Sequence, residues 1–259
     1  MQMDTFFNIN YEFDKAEVHR RIANADKGYI CVADGVVMNT ANRDPNYLRV
    51  INESLFSICD SSWVPVYLKS IYGVKYEQYC GYDILKDIVI SRKYRMMFLG
   101  ANQSTLDALR KELAIMNSDV ENMQFIELPF CDVEDFDYRG IARVIDDDGA
   151  KIIWVALGAP KQERFMNMIL PYINHGILIG VGAAFKFLSR KEESRCPTWM
   201  QQWHLEFIYR ILKDPKKQLK RCFWIVWTLP GLYFSEIKRA KRALRAKKNN
   251  DDPITALEK

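Results

Sequence analysis

Residues 152–163, Ile-Ile-Trp-Val-Ala-Leu-Gly-Ala-Pro-Lys-Gln-Glu, hold the clearest chemical signal in the chain. An apolar run that ends in a Gly/Pro break reads as a buried strand of a parallel sheet. Pro160 suits the first position of a following helix, where its missing N–H would be unpaired anyway. The open N–H groups of that helix start, with Lys161 beside them, suit a phosphate or pyrophosphate. One reading is a nucleotide-type ligand at the carboxyl edge of an α/β sheet. The other is an ordinary strand-to-helix turn with a surface lysine.

Other clusters offer less. Asp146, Asp147 and Asp148 resemble a metal-holding D-x-D, but they precede strand 152–157 and so belong at the opposite, amino edge, as a solvated helix end. Cysteines 31, 59, 80, 131, 196 and 222 show no CxxC pairing and no histidine partners, which argues for reduced thiols and against zinc. Histidines 19, 175 and 204 are far apart and read as surface or capping residues.

The elements that must position these residues alternate. Strands are predicted at 29–33, 57–60, 94–99, 124–128, 152–157 and 177–180, and helices at 45–55, 105–116, 138–146 and 160–170. Ser104 is expected to cap the helix 105–116, with Leu106, Leu109 and Leu113 on its buried face. Such alternation implies βαβ crossovers and a Rossmann-like, mainly parallel sheet with helices on both faces. From Pro197 the chain reads as consecutive helices, with a stop at Asp214, a break at Pro230-Gly231 and a basic helix over 234–248. Three parts are expected: an α/β domain over 1–195, a helical appendage over 196–248 and a polar tail over 249–259.

The net charge of +4 conceals an asymmetry. Residues 213–248 hold twelve Lys/Arg against two acids, whereas residues 1–212 carry a net −4. In the tail, bases flank Cys222-Phe223-Trp224-Ile225-Val226-Trp227, too short a run to span a bilayer but suited to the headgroup region of an anionic membrane. The same apolar face would also serve self-association into a homo-oligomer. Nucleic acid is the weaker partner, because it would leave the glycine turns of the sheet unused. The first 26 residues are mixed and polar, unlike a signal segment, so a cytoplasmic location is expected.

Several linked motifs resemble the WecG/TagA/CpsF glycosyltransferases (glycosyltransferase family 26). Gly158-Ala159-Pro160-Lys161-Gln162-Glu163 is similar to the family's G-x-P-K-Q-E, and Val181-Gly182-Ala183-Ala184-Phe185 to its VGgaF turn. Arg195-Cys196-Pro197, Trp199, Leu205-Glu206, Arg210, Pro215 and Arg221 resemble R-A-P-x-W…L-E-W-x-x-R-L…E-P…R. Phe98-Leu99-Gly100 and Gly81-Tyr82-Asp83-Ile84 resemble the LLG and G-x-D-L elements, so the likeness covers about residues 28–225.

The resemblance implies inverting transfer of a sugar from a UDP-sugar to a polyprenyl-pyrophosphate-linked sugar, at the cytoplasmic membrane face and without an essential metal or other cofactor. The products would feed bacterial surface polysaccharides. The family's general base is an aspartate that follows an acidic-Pro helix start; here Asp60 stands fifteen residues after Pro45. The alternative for Asp60 is a cap of a helix begun by Ser61 and Ser62. Gly100, Phe130, Gly158, Pro160, Gln162 and Gly182 would line the UDP site, with Gln162 bonding base or ribose. Arg210 and Arg221 would neutralise the leaving diphosphate. Four positions depart from the pattern. Asp34 stands where the family has the Asn of T-x-N, with Val32 in place of its Thr; Gln78, expected as a substrate contact, replaces an arginine, and Lys186 an aspartate. Asp34 accepts hydrogen bonds from sugar hydroxyls but cannot donate to an acetamido oxygen. A changed donor sugar follows, or a UDP-sugar-binding homologue without turnover.

Overall fold

Side chains alternate along each central strand between two helical layers. In the computed structural model, which describes residues 4–189, 200, 208–209, 212 and 215–251, Tyr29, Cys31 and Ala33 face one layer and Ile30 and Val32 the other. Both sets are fully buried or nearly so, which is the reason these strands read as continuous apolar runs.

Among the described residues the strands are β1 (Asp4–Phe6), β2 (Ile9–Tyr11), β3 (Lys27–Ala33), β4 (Phe56–Cys59), β5 (Met96–Gly100), β6 (Gln124–Ile126), β7 (Ile152–Ala156) and β8 (Gly176–Gly180). They form a single sheet in the order β1-β2-β4-β3-β8-β7-β5-β6. Only the β1/β2 pair is antiparallel. One face is covered by α2 (Gly35–Ala41), α3 (Pro45–Asn52), α4 (Trp63–Tyr72), α7 (Tyr138–Asp148) and α8 (Lys161–Ile169). The other is covered by α1 (Lys15–Asn24), α5 (Gly81–Ser91), α6 (Gln103–Met116) and α9 (Ala184–Ser189). The expected Rossmann-like α/β layering is what the chain adopts.

The first residues carry no expected element, and three local expectations are corrected. The polar N-terminal segment forms the β1–β2 hairpin, with Phe7 and Asn8 both at positive φ (50° and 64°) as a two-residue turn between twisted strands demands. Helix α6 is capped by Asn102, whose Oδ1 accepts from Thr105 N–H at 2.8 Å, and not by Ser104. Pro160 lies one residue outside α8, at the cap position with φ −90°, and the Ala159–Pro160 peptide is cis. The tail helix α10 (Pro215–Asp251) runs unbroken through Pro230 and Gly231.

An interior proline costs about 3 kcal/mol, but α10 is anchored on both sides of it. Before the proline, Asn39 of α2 donates through Nδ2 to the Trp224 carbonyl at 3.0 Å and also to Thr228 Oγ1. Beyond it, Leu232 packs on the core and Tyr233 OH meets Ser70 Oγ at 2.9 Å. Glu236 is buried, accepting from Phe7 N–H at 2.9 Å and from Tyr72 OH at 2.5 Å. The expected boundary at 195 lies outside the described residues.

Candidate active site at the carboxyl edge

Chain order and strand order part company twice. From β3 the chain moves outward to β4, while β8 occupies the opposite side; from β5 it moves to β6, while β7 lies opposite. Each reversal opens a crevice at the carboxyl ends of the strands, where open α/β sheets hold ligands. Asp34, Asp60, Gly100, Gly158 and Gly182 all stand just past or at these ends, and Phe130 is fully exposed on the loop after β6.

In the first crevice, the Asp60 backbone is clamped. Its N–H donates to the Ala33 carbonyl at 3.1 Å and its carbonyl accepts from Gln78 Nε2 at 3.2 Å, while Tyr79 N–H bonds the Cys59 carbonyl at 2.9 Å. Asp60 is half-buried, directly after the end of β4. At the start of α4, Ser61 Oγ accepts from the N–H groups of Trp63 and Val64 at 3.3 and 3.4 Å. Gln78 thus has a structural task where the resemblance led one to expect a ligand contact. So does Asp34, whose Oδ1 caps α2 by accepting from Val36 and Val37 N–H, both at 2.9 Å.

The second crevice is built by close backbone approach. A Cβ on Gly100 (φ +99°) would stand 2.7 Å from the Ala156 carbonyl oxygen, so only glycine lets β5 and β7 end side by side here. A Cβ on Gly182 (φ +51°) would stand 3.4 Å from the Gln162 side-chain oxygen and 4.0 Å from Gly158 Cα, so the two turns approach each other across that amide. That amide is turned inward and buried, contrary to the expected contact with base or ribose. Its Oε1 accepts from Gly158 N–H at 3.2 Å, and its Nε2 donates to the Gly180 carbonyl at 3.2 Å and to Glu163 Oε1 at 2.8 Å. Both of its protons and one oxygen lone pair are spent inside the protein. Lys161 is likewise engaged: Nζ donates to the Cys131 carbonyl and lies 5.7 Å and 4.9 Å from the ring centres of Phe130 and Phe136.

Sequence reasoning missed Tyr47 and gave Glu163 no role. Tyr47 is placed by α3, which Asp44 caps with 2.9 and 3.2 Å bonds to Asn46 and Tyr47 N–H, and its hydroxyl donates to Glu163 Oε2 at 2.9 Å. Burial pushes the Glu163 carboxyl up to about 7, against the pull of donors from Gln162, Tyr47 and its own N–H. Burial also pushes the Tyr47 hydroxyl well up, so it remains a donor.

Asp146 and Asp148 are occupied at the amino edge. Asp146 accepts from Asn174 N–H and Nδ2 at 2.9 and 2.8 Å, and Asp148 pairs with Arg95 at 2.5 Å. Arg210 lies outside the described residues. Arg221 is on α10, one turn before the Trp224 carbonyl that Asn39 holds against α2.

A Rossmann-like sheet whose strand order reverses twice at its carboxyl edge is the architecture in which open α/β proteins hold their ligands. The chain belongs to the Glycosyl transferase WecG/TagA/CpsF family, whose sequence profile matches residues 5–243. It is 26% identical over 226 residues to the N-acetylglucosaminyldiphosphoundecaprenol N-acetyl-beta-D-mannosaminyltransferase of Bacillus subtilis (strain 168), covering 83% of this chain and 85% of that one. It is 24% identical over 221 residues to the enzyme of the same name from Bacillus spizizenii, covering 80% and 82%. The profile reaches farther than the motifs quoted above, taking in the β1–β2 hairpin and most of α10.

Proposed function

We propose that the protein is an inverting glycosyltransferase that moves a sugar from a UDP-sugar to a polyprenyl-diphosphate-linked sugar, in bacterial surface-polysaccharide synthesis. The observation that carries this reading is the shared edge: the Asp60 carboxylate ends β4, and the Gly158 and Gly182 turns end β7 and β8. With strands about 4.8 Å apart, two spacings set the ends of β4 and β8 about 10 Å apart. That gap suits a sugar held between a base and a diphosphate.

Asp60 takes the proton of the acceptor hydroxyl as its oxygen attacks the anomeric carbon, and UDP leaves from the opposite face, which inverts the centre. Backbone N–H groups of the turns at 100–102, 158–161 and 181–183, with Arg210 and Arg221, oppose the charge that develops on the leaving diphosphate. No residue in this scheme requires a metal.

The names of both relatives specify a polyprenyl-diphosphate sugar acceptor, and that substrate class is carried over here. The N-acetylmannosaminyl donor is not, because Val32 and Asp34 replace the hydroxyl and amide of T-x-N and Asp34 is engaged as a helix cap. A peripheral site on the membrane's cytoplasmic face fits the exposed Phe223, Trp227 and Phe234 and the basic run of α10. No described helix is long and apolar enough to cross a membrane.

The test is a panel of UDP-sugars with a short-chain prenyl-diphosphate-linked sugar. Acceptor-dependent UDP release is expected with at least one donor, and Asp60→Asn should lower kcat by a factor of about 10²–10⁴. UDP binding without turnover across the panel would instead identify a homologue that has lost transfer.

A further inference from the structure

Beneath the β7–α8 turn lies a carboxyl to which the scheme above gives no task. Glu163 is fully shielded from solvent, and among the described residues no cation pairs with it: the adjacent Arg164 pairs with Asp44 at 2.9 Å. Holding a carboxylate there is costly, and hydrogen bonds among the described residues compensate it. One oxygen accepts from Tyr47 OH at 2.9 Å and the other from Gln162 Nε2 at 2.8 Å.

The Gln162 amide is the link to the site. Its Nε2 has two protons, of which one goes to the Gly180 carbonyl and the other to Glu163. Without the carboxylate, the second proton would be buried and unpaired, and the amide would lose one of the bonds that fix it. Through Oε1 the same amide holds Gly158 N–H, and through the Gly180 carbonyl it holds the strand end that leads into the Gly182 turn, where an added Cβ would stand 3.4 Å from it. A chain of contacts therefore runs from α3 through Tyr47, Glu163 and Gln162 to both glycine turns.

We infer that Glu163 is a positioning residue for the donor: acting through Gln162, it fixes the spacing of the Gly158 and Gly182 turns that receive the nucleoside diphosphate. The inference rests on the nucleotide-sugar reading above. Two properties follow from where the parts lie. The turns serve the donor, so loosening them weakens donor binding. The acceptor hydroxyl is met at the end of β4, whose clamps at Ala33, Gln78 and Tyr79 do not involve Glu163.

The experiment compares the full chain with Glu163→Gln and Tyr47→Phe, using a donor from the panel that is turned over. Glu163→Gln is expected to raise the KM for the UDP-sugar about tenfold and to leave the acceptor KM within about twofold; Tyr47→Phe should move donor KM the same way by about two- to threefold. A purely structural defect lowers kcat through loss of active protein and moves neither KM. That pattern, or an unchanged donor KM, would overturn the inference. Should Glu163→Gln fail to fold, Tyr47→Phe decides alone, and an unchanged donor KM there is equally fatal. Calorimetric titration with UDP separates the two claims. If the wild type binds UDP without turning over any donor and Glu163→Gln binds it more weakly, transfer fails and the positioning role stands. Equal UDP affinity removes the positioning role, and no UDP binding by the wild type removes both.

Discussion

Asp60 and Glu163 are carboxylates of one sheet edge placed in opposite circumstances. Asp60 is half-buried with its backbone clamped on both sides, whereas Glu163 has no exposure at all. Burial raises Glu163 from 4.5 to about 7, so between those values the native state binds a proton that the unfolded chain has released. Stability therefore falls as pH rises through that window, by roughly 3 kcal/mol if Glu163 acted alone. Glu163→Gln removes this titration. Its thermal midpoint is expected to lie near or below the wild type's at pH 5 and above it at pH 8; parallel pH profiles for the two proteins would show that Glu163 does not titrate in this range. Asp60 was singled out by the resemblance, through its spacing from the Asp44–Pro45 start, an interval that α3 and β4 fill so that Asp60 follows the end of a strand. The inward turn of Gln162 was not legible in the sequence, since residues in a helix's first turn face core or solvent according to a rotation that neighbouring elements set. Asp34 shows the same limit: its type suits a sugar hydroxyl and a helix cap equally, and only Gly35 beginning α2 decides for the cap.

At the scale of elements, the buried runs β3, β4, β5, β7 and β8 were readable from apolar continuity, and α3, α6, α7 and α8 from periodicity. The short α2 and the β1–β2 hairpin offer too few residues for either signal. Pro230-Gly231 misled for a different reason. The rule that such a pair ends a helix describes an isolated helix, and α10 is held to the body by Asn39 before the pair and by Ser70, Tyr72 and Phe7 after it. Glu236 is the centre of the later anchor. Glu236→Ala strips a buried acceptor from Phe7 N–H and Tyr72 OH, which should cost about 2–4 kcal/mol and free the second half of α10 first. Limited proteolysis would then cut near residues 234–248 before the α/β body unfolds. Cleavage and unfolding that remain simultaneous, as in the wild type, would show that Glu236 does not fasten the helix.

For the molecule as a whole, charge and topology point to the same side. The net −4 of residues 1–212 and the basic run of 213–248 differ in sign, and α10 lies on α2 and α4, the helices that leave the ends of β3 and β4. The tail therefore sits beside the half of the edge that holds Asp60, where a lipid-linked acceptor would present its sugar. On α10 Phe223, Trp227 and Phe234 are 60%, 73% and 61% exposed, with no role in the core. Each base near an anionic surface contributes roughly 1 kcal/mol, and the aromatic rings favour the headgroup depth. Removing the whole tail would be a poor test, because Leu229, Leu232 and Glu236 belong to the folded body. The double substitution Phe223→Ser/Trp227→Ser spares those contacts. It is expected to weaken sedimentation with vesicles of one-third phosphatidylglycerol by about tenfold, while UDP affinity stays at the wild-type value. Wild-type binding should also fall as salt is raised, since charge supplies part of it. Vesicle binding that ignores both substitutions would mean that the aromatic face of α10 meets something other than lipid, and a second copy of the chain, detectable by sedimentation velocity, would be the partner to look for.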